Sequence, residues 1–172
     1  MIKIIMSISL LFSINLFAES AHDHEHHEHA HHGKKQDIKT TIELYTKACE
    51  SGETNSCNNL AVIYDLGKLV KQDKKKAIEL YTKACNAGNK YSCNTLGKIY
   101  FKGNPAIQDK PKAIEFYTKA CNAGNDYSCN TLGIIYIKGD GVKQDRTKAK
   151  ELFSKACDAG NMGACRNYER LK

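Results

Sequence analysis

Several motifs that would assign a chemistry at once are missing from this 172-residue sequence. None of its eight cysteines belongs to a Cys-x-x-Cys pair, the short spacing that structural zinc sites usually use. No serine is followed three residues later by lysine, so the Ser-x-x-Lys motif of one class of serine hydrolases is absent. The apolar run from Ile4 to Phe17 is too short for a comfortable transmembrane helix. No stretch resembles a nucleic-acid-binding module, so we expect neither a membrane span nor a nucleic-acid partner.

An internal repeat with a period of 36 residues is what the sequence has instead. The stretch from Lys74 to Asp109 returns from Lys110 to Asp145, is recognisable over residues 38–73, and is shortened over residues 146–172. The cysteines keep this period in two series, namely Cys49, Cys85, Cys121 and Cys157, and Cys57, Cys93, Cys129 and Cys165. A fixed period of this size indicates a solenoid. We therefore predict one domain of four repeats over residues 37–172.

Each repeat reads as two short amphipathic helices joined by a tight turn. In the second repeat, Asp73 can cap the first helix and Asn89 the next, because their side chains can accept hydrogen bonds from free backbone N–H groups. Gly88 can take the left-handed conformation that ends a helix. The aspartate recurs at the same phase, at Asp37, Asp109 and Asp145. The predicted fold class is thus all-α, an αα-hairpin repeat solenoid.

The two cysteines of each repeat are eight residues apart, about one helical turn on either side of the bend. Antiparallel helices would bring such side chains face to face, and the even count and constant spacing favour disulfides. We predict one disulfide per repeat: Cys49–Cys57, Cys85–Cys93, Cys121–Cys129 and Cys157–Cys165. Each should stabilise its hairpin by about 2–3 kcal/mol. Thiolate zinc sites and reactive thiols are the less favoured alternatives.

The N terminus has the pattern of a secretory signal peptide. A positive head at Lys3 precedes the apolar run, and small residues at Ala18 and Ser20 suit a signal peptidase. We predict a signal peptide over residues 1–20 and a secreted or periplasmic protein. No cysteine lies near the cleavage site, so we expect no lipid anchor.

A histidine-rich segment follows the predicted signal peptide. It contains every histidine of the chain: His22, His24, His26, His27, His29, His31 and His32. It has no apolar face, so we predict that residues 21–36 are disordered. Imidazoles interleaved with carboxylates suit zinc, nickel or copper, and binding would need neutral imidazole. The alternative is a solvated tail that binds metal only incidentally, and no cofactor is otherwise required.

The formal net charge of the chain is +7. A basic surface suits acidic partners, anionic lipid or cell-wall polymer. Because the lysines are spread over every repeat and do not cluster in the sequence, we interpret the charge mainly as a source of solubility.

The run from Gly139 to Gly160, together with Leu-Gly-x-x-Tyr-x-x-Gly over residues 132–139, resembles the Sel-1-like repeat, a relative of the tetratricopeptide repeat. The resemblance covers about residues 38–172 and implies a superhelix of helix pairs. With paired cysteines and a signal peptide, the chain is similar to the secreted cysteine-rich members of that family in bacteria. These are commonly classed as β-lactamases, because some bind and slowly hydrolyse penicillins. Others are regarded as secreted factors that contact host cells. The resemblance supplies no catalytic residue.

Three functions follow as hypotheses. The first is a scaffold that binds a protein, peptide or cell-wall ligand on its concave face. Two positions that vary between the repeats are candidates for the binding surface, one occupied by Asp65, Phe101 and Ile137, the other by Thr54, Lys90, Asp126 and Met162. The alternatives are β-lactam hydrolysis by unknown catalytic residues and metal binding by the histidine segment.

Overall fold

A computed structural model describes the backbone of residues 26–172 and the side chains of residues 37–172. Within this range the chain forms eight α-helices and no β-strand. The helices are α1 (His26–Glu50), α2 (Thr54–Leu66), α3 (Lys74–Asn86), α4 (Lys90–Lys102), α5 (Lys110–Asn122), α6 (Asp126–Lys138), α7 (Arg146–Asp158) and α8 (Met162–Glu169). Residues 36–172 form one compact unit, and the described residues before them belong to a separate unit. No helix of the described part is both long and apolar enough to cross a membrane.

The first helix begins earlier than the sequence predicted. Asp37 lies inside α1, where its backbone carbonyl accepts a hydrogen bond from the Thr41 hydroxyl at 2.8 Å, so the helix cap expected at Asp37 is wrong. The preceding residues include good helix formers such as Ala30 and Gln36, and extending a helix costs less free energy than starting one. Residues 26–36 are thus helical in backbone, where disorder was expected, and residues 21–25 lie outside the described part.

The other helix starts follow the predicted capping pattern. The carboxylates of Asp73, Asp109 and Asp145 each accept a hydrogen bond from a backbone N–H in the first helical turn, at 2.8–3.0 Å. Asn89, Asn125 and Asn161 do the same for the second helix of their repeats. The hairpin turns contain left-handed glycines, such as Gly88 with φ 91°. In the first repeat, Glu53 replaces the capping asparagine and accepts from two N–H groups.

All four predicted disulfides are present, one in each hairpin. They join Cys49 to Cys57, Cys85 to Cys93, Cys121 to Cys129, and Cys157 to Cys165, with Cα–Cα distances of 4.6–4.7 Å. The predicted fold class, an all-α hairpin solenoid with one disulfide per repeat, is therefore confirmed. Zinc thiolate sites are excluded, because every cysteine of the chain is bonded to another.

Neighbouring repeats pack through the second helix of one hairpin and the first helix of the next. At the second and third interfaces a glycine faces an aromatic ring, and at the first the buried Ala61 takes the glycine's position in the cluster that contains Tyr81. A Cβ atom added to Gly97 would lie 2.6 Å from the Tyr117 ring, and one added to Gly133 would collide with the Phe153 ring. Fully buried alanines, among them Ala84 and Ala120, complete the close approach of the helices. The small residues therefore set the distance between repeats.

A ladder of polar side chains also crosses the repeat interfaces. The Ser92 hydroxyl donates to Asn58 Oδ1 at 2.8 Å, and the Ser128 hydroxyl donates to Asn94 Oδ1 at 2.9 Å. In the last repeat an alanine occupies the serine position, and Asn167 Nδ2 donates to Asn130 Oδ1 instead. No buried side-chain nitrogen or oxygen in the described residues lacks a partner. The ladder fixes the register of the repeats, because an unpaired buried amide would be costly.

Replacing Gly97 by leucine should destabilise the stack. The new side chain would overlap the Tyr117 ring, and overpacking of this kind costs about 1–3 kcal/mol of unfolding free energy. Urea titration of the oxidised protein, followed by circular dichroism, measures the loss. The control is Tyr91→Leu in the same helix, where the side chain is exposed. An equal effect of both changes would contradict the packing role of Gly97.

The last disulfide should be reduced before the others. The first three pairs are 1–4% exposed, whereas Cys157 and Cys165 are half-buried, and thiol–disulfide exchange requires access to sulfur. Without reductant, alkylation should label no cysteine. With limiting reductant, peptide mapping should find the first labels on Cys157 and Cys165. First labels on Cys85 and Cys93 would show that access does not govern the order.

Candidate binding groove

Two adjoining cavities open along α4. The larger, about 720 Å³, lies between α3, α4 and the loop after α4, and the smaller, about 410 Å³, lies between α4 and α6. Lys98 and Lys102 line both cavities. We call the smaller cavity the α4–α6 groove. Its lining residues are Lys98, Phe101, Lys102, Tyr117, Thr131, Ile134, Ile135, Lys138 and Asp140.

The repeat explains why these side chains share one face. Lys98 and Lys102 are four residues apart on α4, so they lie on the same side of the helix. Ile134 and Lys138 occupy the same positions on α6, one period later. The groove therefore presents an apolar and a basic side chain on α6 opposite two basic ones on α4. Such a mixture of apolar floor and few charged groups is typical of ligand sites.

The charge of the groove is positive. Lys98, Lys102 and Lys138, the groove lysines, are exposed, and none of them forms an ion pair with a described residue. The one acidic lining residue, Asp140, is already paired with Lys110. The groove lysines therefore face solvent without a compensating carboxylate.

Two residues of the first variable position line these cavities: Asp65 the larger one and Phe101 the α4–α6 groove. In the first repeat, the Asp65 carboxylate accepts a hydrogen bond from Lys74 Nζ at 2.6 Å and contacts Tyr81. Burial raises the pKa of Tyr81 well above its usual value, and the charge and hydrogen bond of Asp65 add to the shift. The phenol and lysine of the first interface thus share an internal carboxylate.

The next repeat has no such carboxylate. Phe101 replaces the aspartate and packs edge-on against Tyr117, with ring centroids 6.3 Å apart. The Tyr117 side chain is 2% exposed, and burial raises its pKa to about 12. Its hydroxyl has no hydrogen-bond partner among residues 37–172. Every fully enclosed side-chain nitrogen or oxygen in that range does have a partner. The hydroxyl is therefore not fully enclosed, and the Tyr117 side chain lines the groove.

The second variable position contributes to repeat contacts and does not line the groove. Its residues are the first of their helices, Thr54, Lys90, Asp126 and Met162. Lys90 Nζ donates to the Gly124 carbonyl at 3.2 Å, and Asp126 accepts from Asn161 at 2.9 Å. Met162 is exposed. Of the two positions proposed from the sequence, only the first supplies residues to the two cavities along α4. The groove lysines were missed, because only packing brings α4 and α6 together.

Comparison with known proteins identifies the repeat. The model of the Sel1 repeat family matches residues 25–53, 54–89, 90–125 and 126–161. The chain belongs to the Sel1 repeat family. The units 54–89, 90–125 and 126–161 each contain the second helix of one hairpin and the first helix of the next, whereas the unit 25–53 contains only α1. No curated protein sequence matches the chain.

Solved structures agree with this assignment. A Sel1 repeat protein from Oxalobacter formigenes is 28% identical, with a TM-score of 0.70, and the match covers 75% of this chain and 97% of that one. Helicobacter pylori cysteine-rich protein B is 32% identical, with a TM-score of 0.60 and coverage of 77% and 96%. A protective antigen of uropathogenic Escherichia coli is 31% identical, with a TM-score of 0.69, and the match covers 76% of this chain but 28% of that protein. Sel1 repeats are generally protein-interaction modules.

No serine hydroxyl in the described part of this Sel1 repeat protein is hydrogen-bonded to a lysine side chain. The Ser92 and Ser128 hydroxyls donate to asparagines of the polar ladder. Ser154 lines a cavity of about 570 Å³ with Lys150 and Glu151, but no hydrogen bond joins Ser154 to either within the described range. β-Lactam hydrolysis therefore stays a prediction from resemblance alone.

The predicted metal site lies outside the described side chains. All seven histidines fall before residue 37, where the structure describes at most the backbone. Among the side chains that are described, no group of three or more histidine, cysteine or acidic residues could hold an ion. Zinc, nickel or copper binding by the histidine segment stays a prediction.

Deleting residues 21–33 should abolish nickel uptake by the mature protein while lowering its helical circular dichroism only by the contribution of residues 26–33 at the start of α1. Uptake by the intact protein should fall as the pH drops through about 6.5, because protonated imidazole does not bind metal. Isothermal titration with nickel alone measures both effects. Uptake that survives the deletion would assign metal binding to the repeats.

Proposed function

We propose that this Sel1 repeat protein is exported and binds a segment of a partner protein in the α4–α6 groove. The observation that carries the proposal is the groove itself, a cavity of about 410 Å³ with an apolar floor and three unpaired lysines on a rigid repeat scaffold. Membership of a family of protein-interaction modules supports it. No described residue favours a hydrolytic function instead.

Export is supported by the cysteines. Four disulfides, three of them almost fully buried, form and persist in oxidising compartments and are rare in the reducing cytoplasm. The apolar run and small residues at the N terminus match a signal peptide, although they lie outside the described residues. Both observations support a secreted or periplasmic location.

The scaffold suits binding for a second reason. Each disulfide closes a short loop beneath an exposed turn, and the polar ladder holds one hairpin against the next. Groove side chains on such hairpins lose little conformational freedom when a ligand binds, so less of the interaction energy is spent on ordering. A rigid groove can therefore bind an extended segment through few contacts.

Photo-crosslinking from within the groove tests the proposal. Ile134 is exposed and lines the groove, so a benzoylphenylalanine there should crosslink a distinct protein in the native extracytoplasmic fraction. The same probe at Met162, which is exposed but lines no described cavity, is the matched control. Mass spectrometry of the crosslinked peptide identifies the partner segment.

Two results would overturn the proposal. Equal crosslinking from positions 134 and 162 would mean that the partner does not bind preferentially in the groove. Crosslinks from position 134 only to glycan, with no protein captured, would replace the protein partner by a cell-wall ligand.

A further inference from the structure

The α4–α6 groove lacks an acidic group that the preceding interface contains. At the first interface, Asp65 supplies a carboxylate to Tyr81 and to Lys74. One period later, Tyr117 occupies the place of Tyr81, but Phe101 occupies the place of the aspartate. The corresponding lysine, Lys110, is turned to Asp140. The Tyr117 hydroxyl and the groove lysines are thus left without a carboxylate.

These groups form a site for an anion. A buried phenol hydroxyl donates well to a carboxylate, and hydrogen bonds to ionised groups are the stronger ones in proteins. The uncompensated charge of the three groove lysines would attract the same group. Beside them, Phe101 and Ile134 supply apolar surface that free inorganic anions could not use. A carboxylate attached to an apolar chain fits both parts.

We propose that the groove binds an acidic segment of the partner, with a glutamate or aspartate carboxylate between the Tyr117 hydroxyl and the groove lysines and with neighbouring apolar side chains on Phe101 and Ile134. The inference rests on the proposed function and adds the chemistry of the partner. The ligand carboxylate takes the role that Asp65 has within the chain at the first interface.

Binding is measured by fluorescence anisotropy with a blocked short peptide of alternating glutamate and leucine, using the full oxidised protein. The same peptide with glutamine for glutamate tests the need for charge. We expect binding of the glutamate peptide that weakens with added salt, as screening of exposed charges requires, and at least tenfold weaker binding of the glutamine peptide. Equal affinity for the two peptides would overturn the inference.

Three variants locate the site. Tyr117→Phe removes only the hydroxyl and should weaken binding roughly tenfold, the usual effect of losing a hydrogen bond to a charged group. Tyr81→Phe is its matched control, because that hydroxyl already contacts Asp65, and it should leave the affinity unchanged. Phe101→Asp rebuilds the first interface and should abolish binding by placing an internal carboxylate at Tyr117. Unchanged affinity in Tyr117→Phe would overturn the inference.

The lysines are tested as a set. Changing Lys98, Lys102 and Lys138 to glutamine should lower the affinity at least tenfold. Changing Lys47, Lys68 and Lys83 to glutamine lowers the net charge by the same amount at exposed positions outside the groove. This control set should change the affinity for the peptide little. Equal losses in the two sets would show that only net charge matters.

Other anionic ligands provide a further contrast. A sulfated polysaccharide or vesicles of anionic phospholipid that bind through the groove more tightly than the glutamate peptide would overturn the acidic-segment assignment. If crosslinking from position 134 still captured a partner protein that binds without acidic residues, the inference would fail and the proposed function would stand.

Discussion

Close contact between a small residue on one helix and an aromatic ring on the next repeat governs the spacing of this structure. The small residue is glycine at the second and third interfaces and Ala61 at the first. Gly97 admits the Tyr117 ring, and Gly133 admits the Phe153 ring, at distances that no side chain could share. This contact sets the spacing of the hairpins, and the buried alanines and the polar ladder are compatible only with that spacing. It also holds Tyr117 so that the side chain is almost fully buried and yet lines the groove. Tyr117 therefore contributes both to the packing between repeats and to the lining of the groove.

The disulfides act at a different level. Each joins two helices of one hairpin and none joins one repeat to the next. They constrain the unfolded chain locally and stabilise the hairpin, whereas association of the hairpins depends on noncovalent packing. The disulfides therefore stabilise the single hairpins without determining the shape of the α4–α6 groove.

The four repeats differ in sequence at positions that do not hold the stack together. The cysteines, the capping residues and the small interface residues recur nearly unchanged, because a change at any of them disturbs the stack. The position of Asp65, Phe101 and Ile137 is free of that constraint, and each copy uses it differently. The aspartate pairs with a lysine, the phenylalanine packs on Tyr117, and Ile137 packs against the core around Phe153. The repeats therefore have the same backbone fold but differ in the side-chain contacts made at this position.

The sequence by itself determined the period, the helix pairs, the disulfide pairing and most helix caps, because these depend on residues close together in the chain. It predicted the first helix start wrongly, since the aspartate pattern at Asp37 does not show whether upstream residues extend the helix. It also pointed to two variable positions without showing that only one borders a cavity. The groove and its unpaired lysines were decided by tertiary structure, because they depend on how residues 36 positions apart are brought side by side. Whether the Tyr117 hydroxyl has a hydrogen-bond partner depends on the same packing, and a local sequence pattern cannot predict it.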